Sequence, residues 1–359
     1  MSTQTDTTTK QTTGPSRSRS RSWRWILAGV AMMAAAAVAL SLTLVLAAPK
    51  AGHGTSASHF LNNAELNGIR SQVAKTGQLP GHGVTVTVPI PGENLKFRPR
   101  PAYVWVPPAW FARNPPQLPV IELLHGTPGN PSDWTKALDA DVTALAFAQQ
   151  HHGVAPIIVM PDINGSYPAD SECVNSPVFG AVETYLTQTV PQFMRNSFNA
   201  STVSGSVAVA GLSEGGLCAT TLALNNPNVY AAFGNYSGDE SPTYQDDNQD
   251  QTIQILFGDS PASYNSHNPP YILTHQHFTG LAGWFAAGAQ DPAALQAART
   301  LAPLASNAGI DTCIMTPPGR HGFDFWTQAF KDSLPWLSWK LKLTPQPQSI
   351  PAQCVSGKS

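Results

Sequence analysis

The chain has 359 residues, of which 42% are hydrophobic and only 12% charged, with 32 prolines, 28 glycines and a formal charge of −2. That length holds one large domain or two ordinary ones, with ample material for a core. The near-neutral balance excludes the basic footprint of a nucleic-acid binder and gives no charge steering toward a membrane surface.

Residues 1–24 are dominated by Ser, Thr, Gln and Arg, too polar to bury a core, and are expected to be disordered in the cytoplasm. From Trp25 to Ala48 the chain carries no charge, long enough to cross the roughly 30 Å hydrocarbon layer as a helix. Arg17, Arg19, Arg21 and Arg24 precede this stretch and Lys50 alone follows, so the positive-inside rule places everything after it outside the cell. A cleaved signal peptide is the alternative, but its apolar region usually runs about 7–15 residues, and Pro49 spoils the cleavage site after Ala47-Ala48. The expectation is therefore an uncleaved signal anchor over 25–48, or a secreted protein if the segment is removed. A juxtamembrane linker at 49–84 follows, with a short helix near "NNAELNGIRSQVAK".

"GVTVTVPI" alternates with period two, and "KFRPRPAYVWVPPAW" reads as a second, proline-interrupted strand, together an antiparallel edge hairpin. Six short apolar runs come next: "LPVIELLHG", "APIIVMPDING", "SVAVAGLS", "YAAFGNYSG", "GWFAAGAQD" and "DTCIMTPPG". Helix-length segments lie between most of them, and "FWTQAFKDSLPWLSWKL" closes the domain. Strands alternating with helices predict an α/β domain over 85–343, a mostly parallel sheet covered on both faces, with a tail at 344–359. The aromatic residues Phe325, Trp326, Trp336 and Trp339 of the last helix are expected in the core.

In such sheets chemistry collects beyond the carboxyl ends of the strands, and each run here ends in a polar, glycine-containing stretch. Gly211-x-Ser213-x-Gly215 stands between a strand and a helix, the context that gives this motif meaning, with Ser213 as nucleophile on a tight turn. A serine hydroxyl needs a base, and the base an orienting acid, in the order Ser, Asp or Glu, His. His321 is the only histidine after Asp291, so it is the expected base. Asp291 is the expected acid, with Asp239 and Glu240 as competitors. The oxyanion donors are expected to be the backbone N–H groups of Glu214 and Thr127.

His275 and His277 lack a carboxylate or cysteine at ligand spacing, and "DDNQDQT" lacks the glycine and glutamate of a calcium loop. Neither metal nor cofactor is expected. Four cysteines in an exported chain suggest two disulfides. The favoured pairing is Cys173 with Cys218 and Cys313 with Cys354, against a buried free thiol at Cys218.

Through "LPVIELLHGTPGNPSDW", "IIVMPDINGSY", "VETYLTQTVPQFM", "VAVAGLSEGG", "YAAFGNYSG" and "GRHGFDFW", residues 85–343 resemble the esterase D and antigen 85 (mycolyltransferase)-like branch of the α/β-hydrolase superfamily. The resemblance implies the α/β-hydrolase fold, a Ser213, Asp291, His321 triad, and a small-molecule or lipid or sugar ester as substrate. His125 stands where mycolyltransferases carry a trehalose-binding aspartate, which makes it the candidate substrate-binding residue. Glu214 replaces the methionine usual after the nucleophile. The expected activity is an extracytoplasmic serine ester hydrolase, with two alternatives: an acyltransferase that moves a fatty acyl group to a sugar hydroxyl, and an inactive envelope-binding protein of the same fold.

Overall fold

A computed structural model describes residues 64–166, 169–246, 248–348, 351 and 354–355. The expected signal anchor at 25–48 and the polar segment before it lie outside the described residues. Among the described residues no helix is long and apolar enough to cross a membrane.

The chain enters the described structure through helix α1 (Ala64–Thr76), which buries Leu66 and Val73 in the domain core. The stretch before residue 84 therefore contributes to the core rather than serving only as a connection. Strands β1 (Val84–Val88) and β2 (Ala102–Val106) form the antiparallel hairpin the alternation predicts. β3 (Val120–Leu124), helix α2 (Ala140–Gln150) and β4 (Ile157–Met160) follow. A small hairpin of β5 (Asn175–Ser176) and β6 (Gly180–Ala181) leads into a helical stretch at 182–198 that ends in α3 (Val190–Phe198).

Next come β7 (Val207–Leu212), α4 (Glu214–Asn225) and β8 (Ala232–Tyr236). An insertion carries α5 (Gln249–Phe257) and α6 (Pro269–His275). Then follow β9 (Ala282–Ala286), α7 (Pro292–Asn307), β10 (Asp311–Met315), α8 (Phe323–Lys340) and a two-residue strand β11 (Cys354–Val355).

Nine strands make one sheet in the order β1-β2-β4-β3-β7-β8-β9-β10-β11. β3, β4, β7, β8, β9 and β10 are mutually parallel, while β1, β2 and β11 pair antiparallel. All six predicted apolar runs are strands of this parallel part. β7 shows why a run buried on both faces reads as continuous apolar sequence. Val207 and Val209 enter the core beneath α3, α4 and α7. Ala208 and Ala210 enter the core beneath α2 and α8. Phe325, Trp326 and Trp336 lie in that second core, and Trp339 packs partly buried against it.

Two features were not anticipated. The tail after residue 343 supplies β11, whose Cys354 pairs with Cys313 of β10 both in register and by disulfide. Of "DDNQDQT", Gln249–Thr252 begin α5, where the Asn248 side chain accepts the Gln251 N–H as a helix cap. Cys173 is bonded to Cys218, which completes the favoured pairing, and no free cysteine remains.

Candidate active site

Because six strands run parallel, their carboxyl ends open on one side of the sheet, and the polar stretches read from the sequence gather there. β7 passes directly into α4, and Ser213 at the junction has φ 54° and ψ −127°. A non-glycine residue in that region is strained and is held there by its surroundings. Its N–H donates to the Tyr236 carbonyl at 2.9 Å. A Cβ on Gly211 would strike the backbone of Gly215, and one on Gly215 would strike the carbonyls of Leu124 and His125. Both glycines thus let the helix start close against the ends of β7 and β3.

The turn presents Ser213 Oγ at 3.0 Å from His321 Nε2, and His321 Nδ1 lies 2.7 Å from Asp291 Oδ2. His321 sits on the loop before α8, half exposed, its ring edge-on to Trp326 with centroids 4.9 Å apart. Asp291 is buried, follows β9 and caps α7, with Oδ1 accepting the Ala294 N–H. Serine, imidazole and carboxylate therefore form one hydrogen-bonded chain drawn from three strand ends. Asp239 and Glu240, the competing acids, line a separate 360 Å³ cavity with Ser241, Thr243 and Gln296.

Glu214 is the first residue of α4, whose leading N–H groups have no partner within the helix. Thr127 follows Gly126, and a Cβ on Gly126 would lie 3.0 Å from the Ser213 Cβ. The two residues expected to provide oxyanion donors thus flank the nucleophile. Their side chains also meet: the Thr127 hydroxyl donates to Glu214 Oε2, and Asn164 Nδ2 donates to the same oxygen at 2.8 Å and to Thr127 Oγ1 at 2.7 Å. Glu214 is buried, which pushes its carboxyl up to about 8, with the Asp170 carboxylate adding to the push against hydrogen bonds from Thr127, Asn164 and the Glu172 backbone. The buried Glu172 is raised as well, by desolvation and then by Asp170 and Glu214.

His125 occupies a different place from the one expected of a substrate-binding residue. It is wholly buried, with Nδ1 2.9 Å from the Gly126 carbonyl and Nε2 3.0 Å from Asp162 Oδ1. Asp162 also receives Arg100 through Nη2 at 2.6 Å and Nε at 3.0 Å. Although burial opposes it, the hydrogen bonds from His125 and Arg100 hold Asp162 well below the usual carboxylate range. His125 directly follows β3, whose five residues are all buried.

Sequence reasoning missed Asn164, Glu172 and Asp162 as partners. The available signal was the polar, glycine-containing end of β4, "DING", at the same level as the serine. The histidine pair of "THQHF" shows no ligand geometry: His275 Nδ1 is 2.8 Å from the Tyr271 carbonyl and its ring stacks on Tyr271. Among the described residues no group of three His, Cys, Asp or Glu side chains is arranged to hold a metal.

Comparison with known proteins gives a consistent setting. A family model described as "Putative esterase" matches residues 97–337. An uncharacterized protein of Corynebacterium glutamicum is 33% identical over 266 residues, covering 71% of this chain; the chain spans 62% of that relative's length. Among solved structures, a ferulic acid esterase superposes with a TM-score of 0.62 at 20% identity, over 72% of this chain and 98% of its own. An S-formylglutathione hydrolase from Agrobacterium tumefaciens follows at 0.58 and 18%, over 74% and 98%. MPT51 of Mycobacterium tuberculosis gives 0.53 and 20%, over 71% and 97%. These likenesses show the α/β-hydrolase esterase fold.

Proposed function

Since the chain belongs to this esterase family, and with it to the serine carboxylic ester hydrolases, we propose that Ser213, His321 and Asp291 are its catalytic triad and that it cleaves esters through an acyl-enzyme. The hydrogen-bonded chain from Ser213 Oγ through His321 to Asp291 carries this reading. His321 Nε2 takes the hydroxyl proton as Oγ attacks the ester carbonyl carbon, while Asp291 holds Nδ1–H and balances the imidazolium. The N–H groups of Glu214 and Thr127 receive the oxyanion. His321 then gives its proton to the departing alcohol. Water, deprotonated by the same imidazole, attacks the acyl-serine and releases the acid.

Hydrolysis is preferred to acyl transfer because the residue expected to meet a sugar acceptor, His125, is sealed against Asp162 instead of facing a cleft. Placement outside the cell, through a signal anchor at 25–48, is part of the same proposal. Two disulfides support an oxidising compartment. Protease shaving of intact cells should release the domain.

The deciding experiment is labelling with a fluorophosphonate. The wild-type protein should be labelled and Ser213→Ala should not, and Asp291→Asn should lower p-nitrophenyl ester turnover on the order of 10³-fold or more. Undiminished label on Ser213→Ala would defeat the assignment, and an unlabelled wild type would favour an inactive binding protein.

A further inference from the structure

The side chain of Glu214 lies one residue from the nucleophile, and it receives hydrogen bonds from two separate chain segments. The Thr127 hydroxyl comes from the loop after β3 and Asn164 Nδ2 from the loop after β4, both donating to Oε2. The Asn164 segment is tied down again. Asn164 Oδ1 accepts the Ser171 N–H at 2.8 Å, and Cys173 is bonded to Cys218 of α4, the helix that Glu214 begins. Thr127 is thus held by its side chain on one side, while its N–H is the assigned oxyanion donor on the other.

We propose that the Glu214 side chain is a positioning residue for ester cleavage, acting as a strut that fixes the Thr127 loop at the distance the oxyanion requires. The proposal rests on the triad reading above. Oxyanion donors act within about 2.7–3.1 Å of the developing charge, and a displacement of about 1 Å at such a site can cost on the order of 100-fold in rate. The Thr127 loop gains that precision from an acceptor it shares with the Asn164 loop.

The strut also has a charge state. The titratable groups facing Glu214 are the Asp170 and Glu172 carboxyls, and Thr127 and Asn164 contribute neutral donors. Burial and Asp170 keep its carboxyl neutral at pH 7, with the rise to about 8 marking the loss of that state. Ionisation sets a negative charge beside the position where the tetrahedral oxyanion forms, which raises the barrier. Turnover in the wild type should therefore decline as pH rises past about 8.

The test measures kcat and KM for a p-nitrophenyl ester from pH 5.5 to 9.5 in wild type, Ser213→Ala, Glu214→Gln and Glu214→Ala, with thermal unfolding of each. Glu214→Ala should lose about 10- to 100-fold in kcat with KM within about threefold. Glu214→Gln, which keeps an acceptor for Thr127 and Asn164 but cannot ionise, should recover most of kcat at pH 7 and lose the decline above pH 8. If Glu214→Ala does not fold, Thr127→Val removes the donor from the other end and should show the same loss in kcat. Ser213-dependent turnover that is indifferent to Glu214, or a Glu214→Gln profile that keeps the wild-type decline, overturns the strut alone. Turnover that survives Ser213→Ala overturns the triad reading and the strut with it.

Discussion

Glu122 in the middle of β3 should make the protein less stable as pH rises, and replacing it with glutamine should remove that dependence. Its side chain is fully buried in a strand covered on both faces. The Tyr230 hydroxyl lies 3.1 Å from Glu122 Oε2 and 3.2 Å from the Leu186 carbonyl. A hydroxyl has one proton to give, so Tyr230 divides it between Glu122 and the Leu186 carbonyl and offers a Glu122 carboxylate only partial compensation for burial. Desolvation accordingly raises the Glu122 carboxyl from 4.5 to about 8, against smaller opposing effects of the Tyr230 hydrogen bond and the Arg195 charge.

The folded state therefore holds a proton that the unfolded chain has released between those two values, so stability falls with pH across that window. At about 1.4 kcal/mol per pH unit, the loss is about 3 kcal/mol by pH 7 and levels off at about 5 kcal/mol above pH 8. Glu122→Gln keeps the shape and loses the proton, although one buried amide N–H goes without a partner at a cost of about 1–3 kcal/mol. The absolute difference at pH 7 is small for that reason, but the slope is not. Urea unfolding followed by tryptophan fluorescence at pH 5, 6, 7 and 8 should show Glu122→Gln gaining on wild type by about 1.4 kcal/mol per unit. A constant difference over that range would refute the neutral carboxyl.

Asp162→Asn leaves His125 and Arg100 without their anionic partner and should cost about 3–5 kcal/mol in unfolding experiments with KM for a small ester unchanged; a selective rise in KM would return His125 to the substrate. Since Asp162 is held below its ordinary value, its contribution is present above about pH 4 and lost on acidification, which a Tm series from pH 5 to 2 resolves. Gly215→Ala would drive a Cβ into the Leu124 and His125 carbonyls, and should lower ester turnover by at least about 100-fold through displaced donors; near-normal kcat would show that the turn tolerates a wider approach.

The parallel part of the fold was legible because strands buried on both faces appear as unbroken apolar runs, and β3, β4, β7, β8, β9 and β10 are such runs. The order of Ser213, Asp291 and His321 was legible because each follows a strand whose neighbours bring its carboxyl end to the same side. β11 was not legible, since two residues, one of them the cysteine, have no period to read and their pairing is decided by β10. The insertion was equally opaque: its helices are short, α5 borrowing its burial from Val174 and its neighbours and α6 from the main core. The expectation for His125 came from the resemblance alone, and nothing in the sequence signalled that its side chain is buried against Asp162, 37 residues on. Glu214 was read only as a backbone position, because its side-chain partners Thr127 and Asn164 lie up to 87 residues away and are joined to it only through space.

One consequence of β11 concerns the protein in company with its copies. Without β11, β10 would be the margin of a sheet whose adjoining strands are almost wholly apolar, and an open margin of that kind is a template on which another chain can add a strand. β11 occupies only Thr312 and Cys313, too short to extend the sheet usefully but sufficient to block the groups a neighbour would seize. The Cys313–Cys354 bond then acts as a latch on a stopper. Where thiols are kept reduced the latch opens, and only a two-residue pairing then separates this margin from a neighbouring copy.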